Sequence, residues 1–158
     1  MDEKNMIEKY ASIYQIGHIT ELNDITTKYG ISISKEDAKL LMEEKTNSLR
    51  EKQRVEFGEG VLTRLISTFC DSTYLYQENF TESIARLQDI FYEYKNESMD
   101  ELTDSELIDY MKLAFDGECR GSLDYLEETV LEKFARDIRE KGQKFLEYYF
   151  KKGDNLDE

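Results

Sequence analysis

Residues 80–94 read FTESIARLQDIFYEY, and this stretch decides the fold. Phe80, Ile84, Leu87, Phe91 and Tyr94 recur at steps of four, three, four and three, which puts them on one stripe of an α-helix and scatters them over both faces of a strand. A seam of that kind is stable only when other helices cover it. The sequence on both sides supplies them.

Upstream, Val61, Leu62, Leu65, Ile66, Phe69 and Cys70 make a broad apolar face after a break at Phe57-Gly-Glu-Gly60, so Cys70 is expected in the core. Ser34-Lys-Glu-Asp37 carries the side chains of a helix start and predicts a helix from Lys35 to about Gln53. Ala38, Leu41, Met42 and Leu49 would face inward. Glu43, Glu44, Lys45, Arg50, Glu51 and Lys52 predict a solvated end that projects from the core. Before that helix, Ile31 and Ile33 alternate with serines over too short a run to argue for a strand. Residues Glu3 to Gln15 and Ile19 to Tyr29 read as a bent or broken arm, interrupted at Gly17 and closed by Gly30 as a left-handed cap.

Downstream, Lys95-Asn-Glu-Ser98 ends the central helix, and Thr103-Asp-Ser-Glu106 has capping-box spacing ahead of Leu107, Ile108, Met111, Ala114 and Phe115. Gly117 stops that helix and Ser122 starts the last one. Its stripe runs through Leu123, Leu126, Val130, Phe134, Ile138, Phe145 and Tyr149 and skips Gly142, which marks a close backbone approach or a kink. The expected fold is an all-α, single-domain bundle of about five to seven helices. Residues 1–30 form an N-terminal helical arm of the same domain, 31–150 the bundle core, and 151–158 a frayed polar tail.

Composition bounds the function. With 21 basic against 35 acidic residues the net charge is -14, which repels phosphate backbones and anionic lipid and argues against nucleic acid or membrane as a partner. Hydrophobic residues at 39% are enough for a core in a chain of 158 residues, so the domain is expected to fold alone. Cys70 and Cys119 fit neither a disulfide framework nor a zinc pair, and Met1-Asp-Glu-Lys4 lacks the features of a secretion signal. A cytoplasmic protein with reduced thiols is the expectation.

Residues able to carry chemistry are few. His18 is the only imidazole and is expected to face solvent or cap a helix at the Gly17 break. Glu106 and Asp109 fit the ExxD part of the carboxylate pattern of all-helical pyrophosphohydrolases, but the adjacent pairs Glu43-Glu44 and Glu127-Glu128 lack the third acid. Glu106 and Asp109, with acids of the last helix, are candidate metal ligands all the same, in a reading as a carboxylate-metal enzyme acting on a phosphorylated small molecule. Arg120, Gly121 and Ser122 precede a helix start and are a candidate anion site, competing with an ordinary helix-helix corner in which Cys119 could be partly exposed. Arg54, Arg64, Arg86, Arg120 and Arg136 are expected to form ion pairs that set helix register. Tyr74, Tyr76 and Tyr92 fall off the apolar seams and are the candidate interface residues, and Tyr148 and Tyr149 pose the same choice.

Two segments, RVEFGEGVLTRLISTFCDSTYLYQENF from Arg54 to Phe80 and FDGECRGSLDYL from Phe115 to Leu126, resemble a family of small uncharacterised proteins, a domain of unknown function, from Gram-positive anaerobic bacteria. The likeness extends from about Ile31 to Arg139. It implies a bacterial, cytoplasmic domain and assigns no functional residue. Taken together, the residues read as a non-catalytic protein-interaction or regulatory protein that needs no cofactor and binds a protein partner or its own copy. The alternatives are the metal enzyme above and an acidic DNA-mimic inhibitor, which would carry its acids in regular rows on one face.

Overall fold

The structure is a computed structural model that describes residues 13–56 and 60–142. It is all-α, and among the described residues there is no strand. Residues 13–21 form α1, Asn23–Thr26 form α2, followed by a 3-10 turn at Thr27–Tyr29, and Lys35–Glu51 form α3. Gly60–Phe69 form α4, Phe80–Glu97 α5 and Asp104–Asp116 α6. The last helix, α7, begins as a turn at Leu123–Tyr125, opens into a π-helical segment at Leu126–Leu131 and returns to α-helix over Glu132–Lys141.

The starts follow from local chemistry. Ser34 accepts from the amide of Asp37 at 3.0 Å while its own amide reaches the Asp37 carboxylate, and Thr103 and Glu106 make the same reciprocal pair at 3.1 and 3.0 Å. Each box satisfies amides that the first helical turn leaves without partners. Helix ends are less visible in sequence. Gln53 (φ 56°) and Met99 (φ 56°) take the left-handed conformation after α3 and α5, a place usually filled by glycine. Gly30 at φ 77° does follow that rule.

The seam of α5 is the hub of the bundle, with α3, α4, α6 and the start of α7 packed on it. Phe80, Ile84, Leu87, Phe91 and Tyr94 are all buried, as the heptad-like spacing predicts. Phe69 of α4 meets Phe115 of α6 edge-on at 5.6 Å, and Tyr110 stacks on Phe134 at 4.1 Å, tying α7 to α6. Side-chain links pair Ser48 with Asp89, Lys52 with Asn96 and Arg54 with Asp100, so numbering rises together and α3 runs parallel to α5. The extended stretch 31–34 enters this pair through two side-chain amides. Asn23 brackets both backbone groups of Ile33 at 2.6 and 2.8 Å, and Gln77 does the same to Ser32 at 2.6 and 3.0 Å. Ile31 and Ile33 are thereby buried without any sheet.

Three expectations are corrected. Gly17 does not interrupt the arm, because helix continues through it over residues 13–21 and the break falls at Leu22. The C-terminal end of α3 does not project, since Lys45 and Ser48 are buried, Ser48 bonded to Asp89 of α5 and Lys45 paired with Glu56 of the irregular stretch that follows. Gly142 follows the last described residue of α7 at φ 69°, and what its place on the stripe means for the residues after it lies outside the described residues. Cys119 is buried, because the amides of Cys119 and Gly121 fold back onto the carbonyls of Ala114 and Phe115. The expectations for the start of the arm, for Phe145, Tyr148 and Tyr149 and for the tail 151–158 lie outside the described residues.

Candidate functional site

Two parallel helices leave a furrow on a side that no third helix among the described residues covers. Between α3 and α5 it forms a groove of about 830 Å³, with Leu40 and Ala85 among its lining. Leu40 is 47% exposed although it is a large apolar side chain on a helix that buries Ala38 and Leu41. Glu44 and Glu51 line the α3 side and Glu78, Glu82 and Asp89 the α5 side. Among the described residues none of these five forms an ion pair, and only Asp89 accepts a side-chain hydrogen bond, from Ser48 at 3.1 Å. The one cation of the lining, Arg86, is turned to Asp124 of α7. The groove therefore presents uncompensated negative charge around an exposed leucine.

The opposite flank of the same helix pair carries its charges in pairs. Lys45 lies 2.7 Å from Glu56, both nearly excluded from water, and the buried phenol of Tyr92 faces the same carboxylate. Burial and then the Glu56 charge push Tyr92 far above its ordinary pKa. Beyond it, Arg54 holds both carboxylate oxygens of Asp100 at 2.7 and 3.2 Å and Asn96 at 2.6 Å. The hydrogen bond from Arg54 keeps Asp100 below the usual carboxylate range. Lys95 is buried with its ammonium on the carbonyl of Leu102 at 2.7 Å and on Asp104 at 2.9 Å.

The structure scatters the residues singled out from sequence. Tyr92 is 2% exposed, so it is withdrawn as an interface residue. The reason is that α5 is covered on several sides, which makes its buried face wider than a heptad seam. Tyr74 packs over Gly121 and meets Phe115 edge-on at 6.2 Å, leaving 36% of it exposed. Tyr76 is 55% exposed and stands two residues before Glu78 in the sequence, outside the groove lining. Arg120 and Ser122 are exposed at the helix-helix corner, where the Ser122 hydroxyl is taken by the amide of Tyr125 at 3.1 Å. Gly121, at φ 81°, supplies the turn. Glu106 is engaged in the cap of α6 and Asp109 is exposed on its outer side, and among the described residues no three His, Cys, Asp or Glu side chains converge as a metal would require. His18 is half-buried inside α1, its ring 4.5 Å from that of Tyr14. Burial, with Glu118 nearby, raises the Cys119 thiol to about 11.

Among the expected register-setting arginines, Arg54 and Arg86 pair as described and Arg64 donates to Ser105 at 2.6 Å. The groove itself was missed by sequence reasoning. Its available signal was Leu40, an apolar residue beside the stripe Ala38-Leu41-Met42, with acids at Glu44 and Glu51 on the same side.

These features define an all-α bundle domain with an open acidic groove. By sequence the chain belongs to a family of unknown function, DUF6323, whose family model matches residues 18–144. No curated protein matches the chain, and no solved structure does. Among the described residues no helix is long and apolar enough to cross a membrane.

Proposed function

We propose that this chain is a non-catalytic protein-interaction or regulatory protein of the bacterial cytoplasm, as the resemblance to proteins of Gram-positive anaerobes suggests, and that its binding surface is the groove between α3 and α5. One observation carries the reading: Leu40 stays exposed in a concave furrow while the other apolar stripes of α3 and α5 are consumed in the core. Exposed apolar area within a concavity is where partners gain most from excluding water. Tyr76, exposed two residues before Glu78 in the sequence, is an amphipathic ring of the type enriched at such surfaces. A net charge of -14 supports a partner that is not nucleic acid or an anionic membrane. The acids flank a leucine, which a protein guest uses and a mimic of duplex phosphates does not.

The test places a photo-crosslinking amino acid at position 40 and, separately, at position 113, where Leu113 is 73% exposed outside the groove. In the native cell, position 40 is expected to give a discrete adduct with another protein or a second copy, and position 113 none. Absence of adducts at position 40, or the same adducts from both positions, overturns the proposal.

A further inference from the structure

We infer that the guest of this groove is an amphipathic helix of a protein partner, with an apolar seam bordered by lysine or arginine. The inference rests on the interaction reading above and adds the chemistry of the occupant. Leu40 to Glu51 spans three helical turns, about 16 Å, so the furrow offers a bed for a helix of similar length. Its walls are ordered in register. Glu44 and Glu51 are seven residues apart on α3, and Glu82 and Asp89 are seven apart on α5, with Glu78 one turn before Glu82. Seven residues are two turns, so each wall repeats its charge at about 10.5 Å. A third helix laid in the furrow presents its own side chains at that heptad interval, apolar residues toward Leu40 and Ala85 and flanking cations toward both walls.

Charge complementarity selects the sign of those flanks. Some carboxylates elsewhere on the described surface have partners, since Asp71 and Asp116 share Lys112, Glu97 takes Arg139 and Asp100 takes Arg54, while others such as Glu43, Asp109 and Glu128 form no ion pair among the described residues but lie outside this groove. Glu44, Glu51, Glu78 and Glu82 have none among the described residues, so a guest with cations at these positions neutralises repulsion that already exists between the walls. An acidic or uncharged guest forgoes that gain.

The experiment uses the full chain and a fluorescent synthetic helix of about 21 residues, three heptads, with leucine along the seam and lysine on both flanks. Two companion peptides carry glutamine or glutamate in place of lysine. Wild type is expected to bind the lysine peptide and not the glutamate one. The double variant Glu44→Lys, Glu82→Lys is expected to weaken binding at least about tenfold. A control double, Asp109→Lys with Glu128→Lys, changes the net charge equally on exposed residues outside the groove and is expected to weaken it less than about threefold. Circular dichroism confirms that both variants fold. Equal weakening by the two doubles means that the peptide reads only the overall charge, and the inference falls. If the glutamine peptide binds as well as the lysine one and Leu40→Asp abolishes both, the basic guest is wrong while the groove remains a docking site. No binding by any peptide, together with no adduct from position 40, removes both.

Discussion

Glu44 and Lys45 are neighbours on α3 and meet opposite environments. Lys45 is buried against Glu56, whereas Glu44 lines an open groove and pairs with nothing among the described residues. One residue step on a helix turns the side chain by about 100°, enough to separate the packed flank of a helix pair from its uncovered flank. The buried side uses charge to hold α3, α5 and the stretch 52–56 together, and each of its ions has a partner at close range. The groove side leaves its charge for something outside the fold. The same helix thus divides structural electrostatics from binding electrostatics.

The largest expected effect breaks the buried side. Lys45→Met leaves the Glu56 carboxylate without its cation and should lower stability by about 3–5 kcal/mol in urea denaturation, whereas Lys45→Met combined with Glu56→Leu should recover most of that loss. Next is the corner beneath Tyr74. A methyl group at position 121 would lie 2.5 Å from the Tyr74 ring at a φ of +81°, so Gly121→Ala should cost about 1–3 kcal/mol and lower the thermal midpoint, with Tyr74→Ala restoring only part. Removing the cap of α6 by Thr103→Ala should cost about 1 kcal/mol by the same measurement.

Acid titration gives a smaller effect whose sign changes with pH. Glu93 is raised above the ordinary 4.5, by burial first and then by Glu127, Asp89 and Glu97 against the opposing Lys52. Folding therefore disfavours its charged form, and stability should rise slightly as pH falls from its folded pKa toward 4.5. Asp100 is lowered from 3.8, so its contribution is complete above that value and is lost as pH falls through the depressed one. Urea midpoints measured from neutral pH downward should show the rise vanish in Glu93→Gln and part of the later fall vanish in Asp100→Asn. The smallest effect sharpens the contrast from the groove side: Glu44→Gln and Glu82→Gln should each move stability by no more than about 0.5 kcal/mol, because neither carboxylate supports a described contact. A large loss in either would show that the groove acids are structural.

Much of the bundle was legible in the chain, and the reasons are local. Ser34 and Thr103 announced their helices because a cap needs only residues within one turn. The stripe from Phe80 to Tyr94 announced its burial because periodicity is a property of one helix. Legibility failed where a position depended on another segment. The end of α3 looked solvated because Lys45 is charged, and only the arrival of Glu56 from the following stretch makes its burial tolerable. Tyr92 looked free because it leaves the heptad seam, yet α5 is covered on a wider arc than the seam. The ends of α3 and α5 gave no glycine signal because Gln53 and Met99 adopt the left-handed turn themselves. The π-helical opening at Leu126–Leu131 has no residue signature, although the Tyr94 hydroxyl reaches the carbonyl of Glu127 there at 2.6 Å.

The amino-acid order by itself determined the all-helical class, the starts of the main helices and which stripe of each is apolar, since these depend on dihedral preference, capping and a period of 3.6 residues. Tertiary structure alone decided which charges are paired and which stand free. That choice belongs to the parallel packing of α3 on α5, which brings residues about 40 positions apart into contact on one flank and leaves the other flank uncovered among the described residues. Pairing energies act over a few ångströms of space, and no spacing along a single helix encodes the distance to a different one.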